Sequence, residues 1–495
     1  MPRRSRSLRV RCLLGLMASG VLPLAAQSHE PANPEKPSAR APDAVDGPTR
    51  LLHQAVVGYA AKIAASARFV SGRTLESVWA EELAPTRPLE RMIRPLLKLE
   101  VDEAGRAVTA RLGDVVATAV ATRNLGCVLA PTADDVEALR SRAAPGLADL
   151  RTPPDAAEWP AGERVAAALP AGVDQAALAA AIDAAFEEAA DRAPVVTRAV
   201  VVVHRRRIVA ERYAAGVHAN MPLPGWSMTK TLVHALLGVR VRQGELDPGA
   251  PLPVPTWRRA TDGRERIRLH DLLAMQSGIA WREDYDDPRS DALRMLFRSG
   301  DAAQVYASQP LEAAPGTRFV YASGATNLLC LVLRRSFADD RDYWAFPRTH
   351  LFAPLGMQTA VLEADASGTF VGSSFGFASA RDWARLGLLY ADDGQVDGVP
   401  ILPPGWVAAA RGAPAGGDGR FGLHLWIDVD PDGDGPAGRE WPDLPTDVFH
   451  MDGHEGQYVV VVPSRQLVVV RLGCTKNGGF DLRGLVRKVL AALPD

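Results

Sequence analysis

Two valine-rich runs lie far apart in this chain of 495 residues: Val195 to Val203, and then Tyr458 to Val462 with Leu467 to Leu472 near the C-terminus. Short apolar runs rich in β-branched residues and bounded by turn residues read as strands buried on both faces. His204 to Arg207 turns the first run back into Ile208 to Tyr213 as an antiparallel hairpin, and Pro463-Ser464-Arg465 joins the last two runs. The stretch from about 226 to 400 is patterned as helices and loops, and a closing helix is expected from Asp481 to Leu493. A buried strand must find sheet neighbours, so the two ends of this region are expected to pair. That gives an α+β fold (an α/β sandwich): one antiparallel sheet flanked by helices, with a mostly helical insertion. Phe421 to Ile427 is expected as a further strand.

Upstream of the sheet the texture changes several times. Residues 2 to 11 carry five arginines and no acid, an apolar run follows from Cys12 to Leu24, and Ala25-Ala26-Gln27 ends it. This is the layout of a secretory signal peptide over 1–26, and the run is too short for a comfortable membrane span. Residues 27–48 are rich in Pro, Ala and charge and read as a disordered linker. An N-terminal accessory region, itself small and α+β, is expected over 49–130. A connecting segment with an alanine-rich helix from Asp174 to Ala190 covers 131–192, and the main domain covers 193–495. The protein is therefore expected to be exported, periplasmic or secreted, without stable membrane insertion once the signal is removed. The formal net charge is -2, which leaves no basic excess for a nucleic-acid backbone. Oligomeric state has no signature.

Arginine supplies nearly all the positive charge: only Lys36, Lys62, Lys98, Lys230, Lys476 and Lys488 are lysines. A guanidinium stays protonated and cannot act as a base, whereas a buried lysine can lose its proton. One of the six falls in Trp226-Ser227-Met228-Thr229-Lys230, ahead of an amphipathic helix. Ser227 at the helix start meets backbone N–H groups that favour negative charge, and Lys230 lies over the same face three residues on. A serine hydroxyl needs such a base to become a nucleophile. S-x-x-K alone is a weak pattern, compatible with an N-cap and a surface lysine. Tyr321, in Gly316 to Ser323 at a loop-to-helix junction, is a candidate proton relay. Gly453 and Gly456, in His450 to Gln457 ahead of a strong strand, allow close approach to backbone; an N–H there, with that of Ser227, would make an oxyanion hole.

In this order the pieces resemble the serine β-lactamase/penicillin-binding superfamily, in the class-C-like branch that includes esterases and 6-aminohexanoate-dimer hydrolases. Leu272 to Gly278 resembles the LLxHTSG stretch, Pro354 to Met357 the PLGM turn, Ser379 to Arg385 the S-x-x-D helix start, and Gly453 to Gln457 with Pro463 the GxxGQ…P end. The resemblance covers about 195–495. It implies Ser227 as acylated nucleophile, Lys230 as base and Tyr321 as second proton-transfer residue, with no cofactor or metal. Two departures matter. Tyr-x-Asn is here Tyr321-Ala322-Ser323, which places Ser323 where an amide would hold substrate. Lys-Thr-Gly aligns with Met451-Asp452-Gly453, with His454-Glu455-Gly456 as the other match. The first alignment makes the His454 amide the oxyanion donor, sets Gln457 in the substrate-binding strand, and leaves Met451 with no charge for a β-lactam carboxylate. Tyr285, in Trp281 to Tyr285, resembles a tyrosine that reaches over a bound amide in the aminohexanoate branch.

The expected activity is therefore hydrolysis of a small amide or ester through an acyl-enzyme. The alternatives are a β-lactamase or D-Ala-D-Ala-type peptidase, and a catalytically silent envelope binding protein of the same fold. Asp428, Asp430, Asp432 and Asp434 imitate a calcium loop, but position twelve would be Arg439 or Trp441, not the glutamate the loop needs. Cys127, Cys330 and Cys474 read as small buried apolar residues, with at most one disulfide among them. His53, His218, His234 and His424 show no ligand spacing.

Overall fold

The computed structural model describes residues 47–142, 157–187 and 195–494, apart from 258, 259, 261, 418 and 431–437. The signal-peptide reading, nearly all of the linker, residues 143–156 and 188–194, and Asp432 and Asp434 of the acidic turn lie outside the described residues.

The first described element is α1 (Pro48–Phe69), with proline at its first turn where a missing N–H costs nothing. It lies against a four-stranded antiparallel meander of β1 (Lys98–Asp102), β2 (Ala107–Leu112), β3 (Val115–Ala121) and β4 (Cys127–Leu129). Val108, Ala110, Leu112 and Ala119 face the helix in alternation, as a half-buried sheet requires. The same core continues into the larger domain through Leu293, Phe297, Phe375 and Trp226. Gly58 makes this possible, because a Cβ there would lie 2.2 Å from the Phe297 carbonyl oxygen. The N-terminal region is thus packed into the larger domain with a shared core.

Helix α2 (Gln175–Ala184) is capped by Asp174, whose side chain accepts from Ala177 N; it is shorter than the expected Asp174–Ala190. The central sheet has six antiparallel strands. They are β5 (Thr197–His204), β6 (Arg207–Tyr213) and, after the insertion, β7 (Trp426–Ile427), β8 (Phe449–Gly453), β9 (Gln457–Val462) and β10 (Leu467–Gly473), in the order β7-β8-β9-β10-β5-β6. The two ends of the region pair as expected, with Val202 opposite Val469. Both faces are covered. Val201, Val203, Val459 and Val461 face the insertion, which holds α3 (Thr229–Arg242), α4 (Ser323–Arg335) and α5 (Ala380–Ala391). Val200, Val202, Val460 and Val462 face α2 and the closing helix α6 (Leu482–Ala491). Each buried valine is worth about 1.5–3 kcal/mol. A run that is apolar on both faces does not choose its own register, so the hairpin turns do. Arg205 and Arg206 turn with φ of 50° and 60°, and Gln466 with 45°.

One expected strand is mostly a turn. Phe421, Leu423, Leu425 and Ile427 alternate and are all buried, yet only Trp426–Ile427 is strand. Gly422 N donates to Leu425 O (2.9 Å) across His424, whose φ is 58°. The other short motifs behave as read: Ser379 caps α5 through Asp382 N, and Gly356 ends the Pro354–Leu355 turn with φ 73°. Asp428 accepts from Arg439, Glu440 N and Trp441 N, which makes it the organiser of a local turn. Cys127, Cys330 and Cys474 are buried and unpaired. Among the described residues no helix is long and apolar enough to cross a membrane.

Candidate active site

Ser227 lies in a tight 3-10 turn, Trp226–Met228, that runs into α3, so it precedes the regular helix expected to begin at it. The turn is forced from behind. Gly225 N donates to Gly376 O (2.8 Å), and a Cβ on Gly225 would come within 2.2 Å of the buried Trp383 ring. Trp226 has φ of 48°, a costly conformation for a bulky residue, which persists only where its surroundings fix it. Its ring is held between Phe375 (6.3 Å) and His454 (5.3 Å).

Lys230, one turn along, is 2% exposed. Its Nζ reaches Ser227 Oγ at 3.0 Å, Ser323 Oγ at 3.1 Å and the Ser373 carbonyl at 2.9 Å. All three neighbours are neutral. Burial lowers its pKa to about 8, against the upward pull of Glu283 and Asp452. A substantial neutral fraction at mildly alkaline pH is what a base for Ser227 requires.

Tyr321 is brought beside the same serine, close enough for Ser227 to act on its hydroxyl. Its ring stacks on Trp426 (5.9 Å) and lies 5.0 Å from Lys230 Nζ. Burial, with Glu283 adding to it, holds the phenol well above its ordinary range, so Tyr321 keeps its proton near neutrality. Of the two candidates, then, Lys230 is suited to take a proton and Tyr321 to give one.

Glu283 organises the rear wall, and the sequence reading missed it. It accepts from Ser323 Oγ (2.5 Å), Ser323 N (2.9 Å), Trp281 Nε1 (2.5 Å) and Tyr285 hydroxyl (2.5 Å). The sequence held one signal: Trp281, Glu283 and Tyr285 alternate, an acid between two aromatic donors. Ser323 is fully buried, and its hydroxyl joins Lys230 to Glu283. Its side chain thus links the lysine to the acid. Tyr285 is half-buried and stacks on His454 (6.1 Å) beside the serine turn, while its hydroxyl is engaged by Glu283.

The opposite edge is the turn between β8 and β9. A Cβ on Gly453 would lie 2.1 Å from the Gly225 carbonyl oxygen, so only glycine lets this edge close on the Ser227 turn. Gly456 N donates to Gly453 O (3.2 Å), and Glu455 holds a φ of 63°. Gln457 braces the turn: its amide donates to His454 O (3.0 Å) and Gly473 O (2.6 Å) and accepts from Gly473 N (2.9 Å). These bonds make Gln457 a brace of the turn. Met451 is buried in the core, whereas Asp452, its neighbour, is half-buried and close enough to Lys230 and Tyr321 to act on both. Burial, reinforced by Glu440, raises the Asp452 pKa to about 7.

A half-buried serine with a buried lysine and tyrosine beside it, at the end of an antiparallel sheet flanked by helices, is an arrangement of the β-lactamase fold. The sequence profile of the Beta-lactamase family matches residues 182–492, and the chain belongs to that family. It is 29% identical to the 6-aminohexanoate-dimer hydrolase of Paenarthrobacter ureafaciens over 43% of this chain and 56% of that protein. It is 31% identical to Esterase EstB of Burkholderia gladioli over 50% of this chain and 68% of that protein. The chain thus spans little more than half the length of the first of these relatives. Among solved structures, EstCE1, a hydrolase with promiscuous acyltransferase activity, shares the fold with a TM-score of 0.51 at 16% identity, covering 64% of this chain and 99% of its own.

Proposed function

We propose that the protein is an exported serine hydrolase that cleaves a small amide or ester through an acyl-enzyme on Ser227. The observation that carries this reading is Lys230: a buried amine 3.0 Å from Ser227 Oγ, surrounded by neutral oxygens, with a pKa of about 8. Neutral Lys230 takes the hydroxyl proton as Ser227 Oγ bonds to the substrate carbonyl carbon. The charge that develops on the carbonyl oxygen meets the N–H groups of Ser227 and His454. As the bond to the leaving oxygen or nitrogen breaks, Tyr321 passes it a proton, and water then releases the acyl group by the reverse steps. Tyr285 covers the bound carbonyl from the His454 side. The family membership and the hydrolase and esterase names of the relatives support this reading. Met451 brings no charge for a β-lactam carboxylate, and Asp452 opposes one, which favours small amides or esters over β-lactams.

A fluorophosphonate probe tests it. The wild-type protein is expected to be labelled on Ser227 and to turn over a chromogenic p-nitrophenyl ester, with both lost in Ser227→Ala. Equal turnover in that variant ends the proposal, and covalent capture of penicillin with no ester turnover replaces it by the peptidase reading. The export component is checked separately: the N-terminus of the protein recovered from the cell envelope or medium is expected to lie near residue 27.

A further inference from the structure

We propose that the N-terminal region, residues 47–142, is a positioning module for this active site, which it holds in place through a buried ion pair and a buried hydrogen bond to a second ion pair. The inference rests on the acyl-enzyme reading above and extends it to a part of the chain that precedes the family match at 182–492.

The first contact is at Glu363. This carboxylate has no exposure at all. Among the described residues its side-chain partners are the Lys62 ammonium, the Ser66 hydroxyl (3.0 Å) and Cys127 N (2.7 Å), all from the N-terminal region. With the seam closed, Glu363 lacking the Lys62 ammonium would be a bare buried carboxylate, which is strongly unfavourable. Glu363 also opens the loop that feeds the site. Its N–H donates to Phe375 O (2.9 Å), and between the two lies Ser373, whose carbonyl accepts from Lys230 (2.9 Å). Lys62 Nζ lies 4.0 Å from the centroid of the Phe375 ring, which in turn packs on Trp226 beside Ser227.

The second contact is under the β8–β9 turn. Glu455, left-handed in its backbone and 2% exposed in its side chain, pairs with Lys476 and accepts from the Cys474 thiol (3.2 Å). Its carbonyl accepts from Thr475 N (2.9 Å) and from Arg471 (3.3 Å). Lys476 in turn donates to Glu82 O (3.0 Å), and the Glu82 side chain is clamped between Arg73 and Arg198. The residue before Glu455 is His454, whose amide the mechanism uses. The two contacts thus fix the acceptor that orients the base and the turn that carries the oxyanion donor. Small errors in such groups cost catalysis more than binding.

The full-length chain tests this with Lys62→Met, the double variant Lys62→Met/Glu363→Met, and Lys476→Gln. Lys62→Met and Lys476→Gln are expected to lower kcat for the chromogenic ester about tenfold or more, with KM within about twofold. The inhibition constant of a phenylboronic acid, which mimics the tetrahedral adduct, should rise by the factor by which kcat falls. The double variant removes the stranded carboxylate, so it is expected to regain the thermal stability lost in Lys62→Met while kcat stays low. Wild-type kcat in the double variant and in Lys476→Gln overturns the inference, as does a fall in kcat with no change in boronate affinity. Fluorophosphonate labelling of the wild type separates the two levels. If it labels while the variants retain full kcat, only the positioning role is lost; if it does not label, the acyl-enzyme reading fails and takes this inference with it.

Discussion

Among the described residues three lysines are buried, and they are buried in two different ways. Lys62 meets the Glu363 carboxylate across the seam between the N-terminal region and the larger domain, and Lys476 meets the Glu455 carboxylate beside that seam while donating to Glu82 O across it. Lys230 meets only a serine hydroxyl, a second hydroxyl and a carbonyl. An opposite charge in contact favours the ammonium, whereas burial among neutral oxygens favours proton loss. The seam therefore uses lysine as a fixed charge that joins two parts of the chain, and the site uses it as a base. The same side chain is structural or chemical according to whether its acceptors carry charge.

The largest effect that distinguishes these roles is on activity. Lys230→Arg keeps a positive charge but removes a group able to lose a proton, so ester turnover is expected to fall by about 10³-fold or more, in line with removal of a base that works as a unit with its nucleophile. Steady-state kinetics check it, and a loss below tenfold would remove Lys230 from the mechanism. The next effect is on stability. Lys62→Met strands Glu363 and is expected to cost about 3–5 kcal/mol. Lys230→Met strands only neutral acceptors and removes a disfavoured charge, so its cost should be far smaller, with stability near or above the wild type. Urea denaturation of both at pH 7 decides the matter, and equal losses would show that the two burials are alike.

A smaller and graded effect follows from pH. With Lys230 at about 8, kcat/KM is expected to climb about tenfold per unit below that value and level off above it. Tyr321, held above its ordinary range by burial, places no descending limb below about pH 10. The same shift has a stability sign. Folded Lys230 loses its proton near 8, unfolded lysine near 10.5, so between these values the unfolded chain binds more protons. The penalty for burying the charge, about 3 kcal/mol, is present below pH 8 and is relieved as pH rises to 10.5. A pH titration of the urea midpoint should show this rise in the wild type and not in Lys230→Met.

Much of this was legible in the sequence because it is local. Ser227 and Lys230 are three residues apart on one helical turn, and the valine runs carry their own burial signal. A glycine at 453 was legible as a point of close approach, expected for a ligand, and the structure shows that what approaches is the Gly225 carbonyl. What escaped is long-range or conformational. Glu363 and Lys62 are 301 residues apart, and no short pattern marks either. Glu283 matters because four donors converge on it, two from its own loop and two from Ser323 at the start of α4. Phe421 to Ile427 alternates like a strand, but His424 turns left-handed, which apolar spacing does not register. Ser323 and Gln457 lie in the expected neighbourhood, and spacing alone does not show the long-range partners they meet there, Lys230 and Glu283 in one case and backbone in the other.

The smallest effect sharpens the contrast from the acidic side. Asp452 is, with Glu283, one of two half-buried carboxylates near Lys230, and its pKa of about 7 lies a unit or so below that of the lysine. As pH rises from 6 to 8 the cleft gains negative charge at Asp452 while Lys230 begins to lose its positive charge. An ester with a carboxylate tail should therefore be discriminated against a neutral ester of the same length by a few-fold more at pH 8 than at pH 6, as a half-solvated charge at close range provides. In Asp452→Asn the ratio of the two kcat/KM values should lose most of this pH dependence, leaving only the part that Lys230 contributes. A ratio that moves with pH as strongly in the variant as in the wild type would assign the whole effect to the lysine. In that case the site would contain one titrating group in this range, not two, and the contrast with the ion-paired lysines at the seam would rest on Lys230 alone.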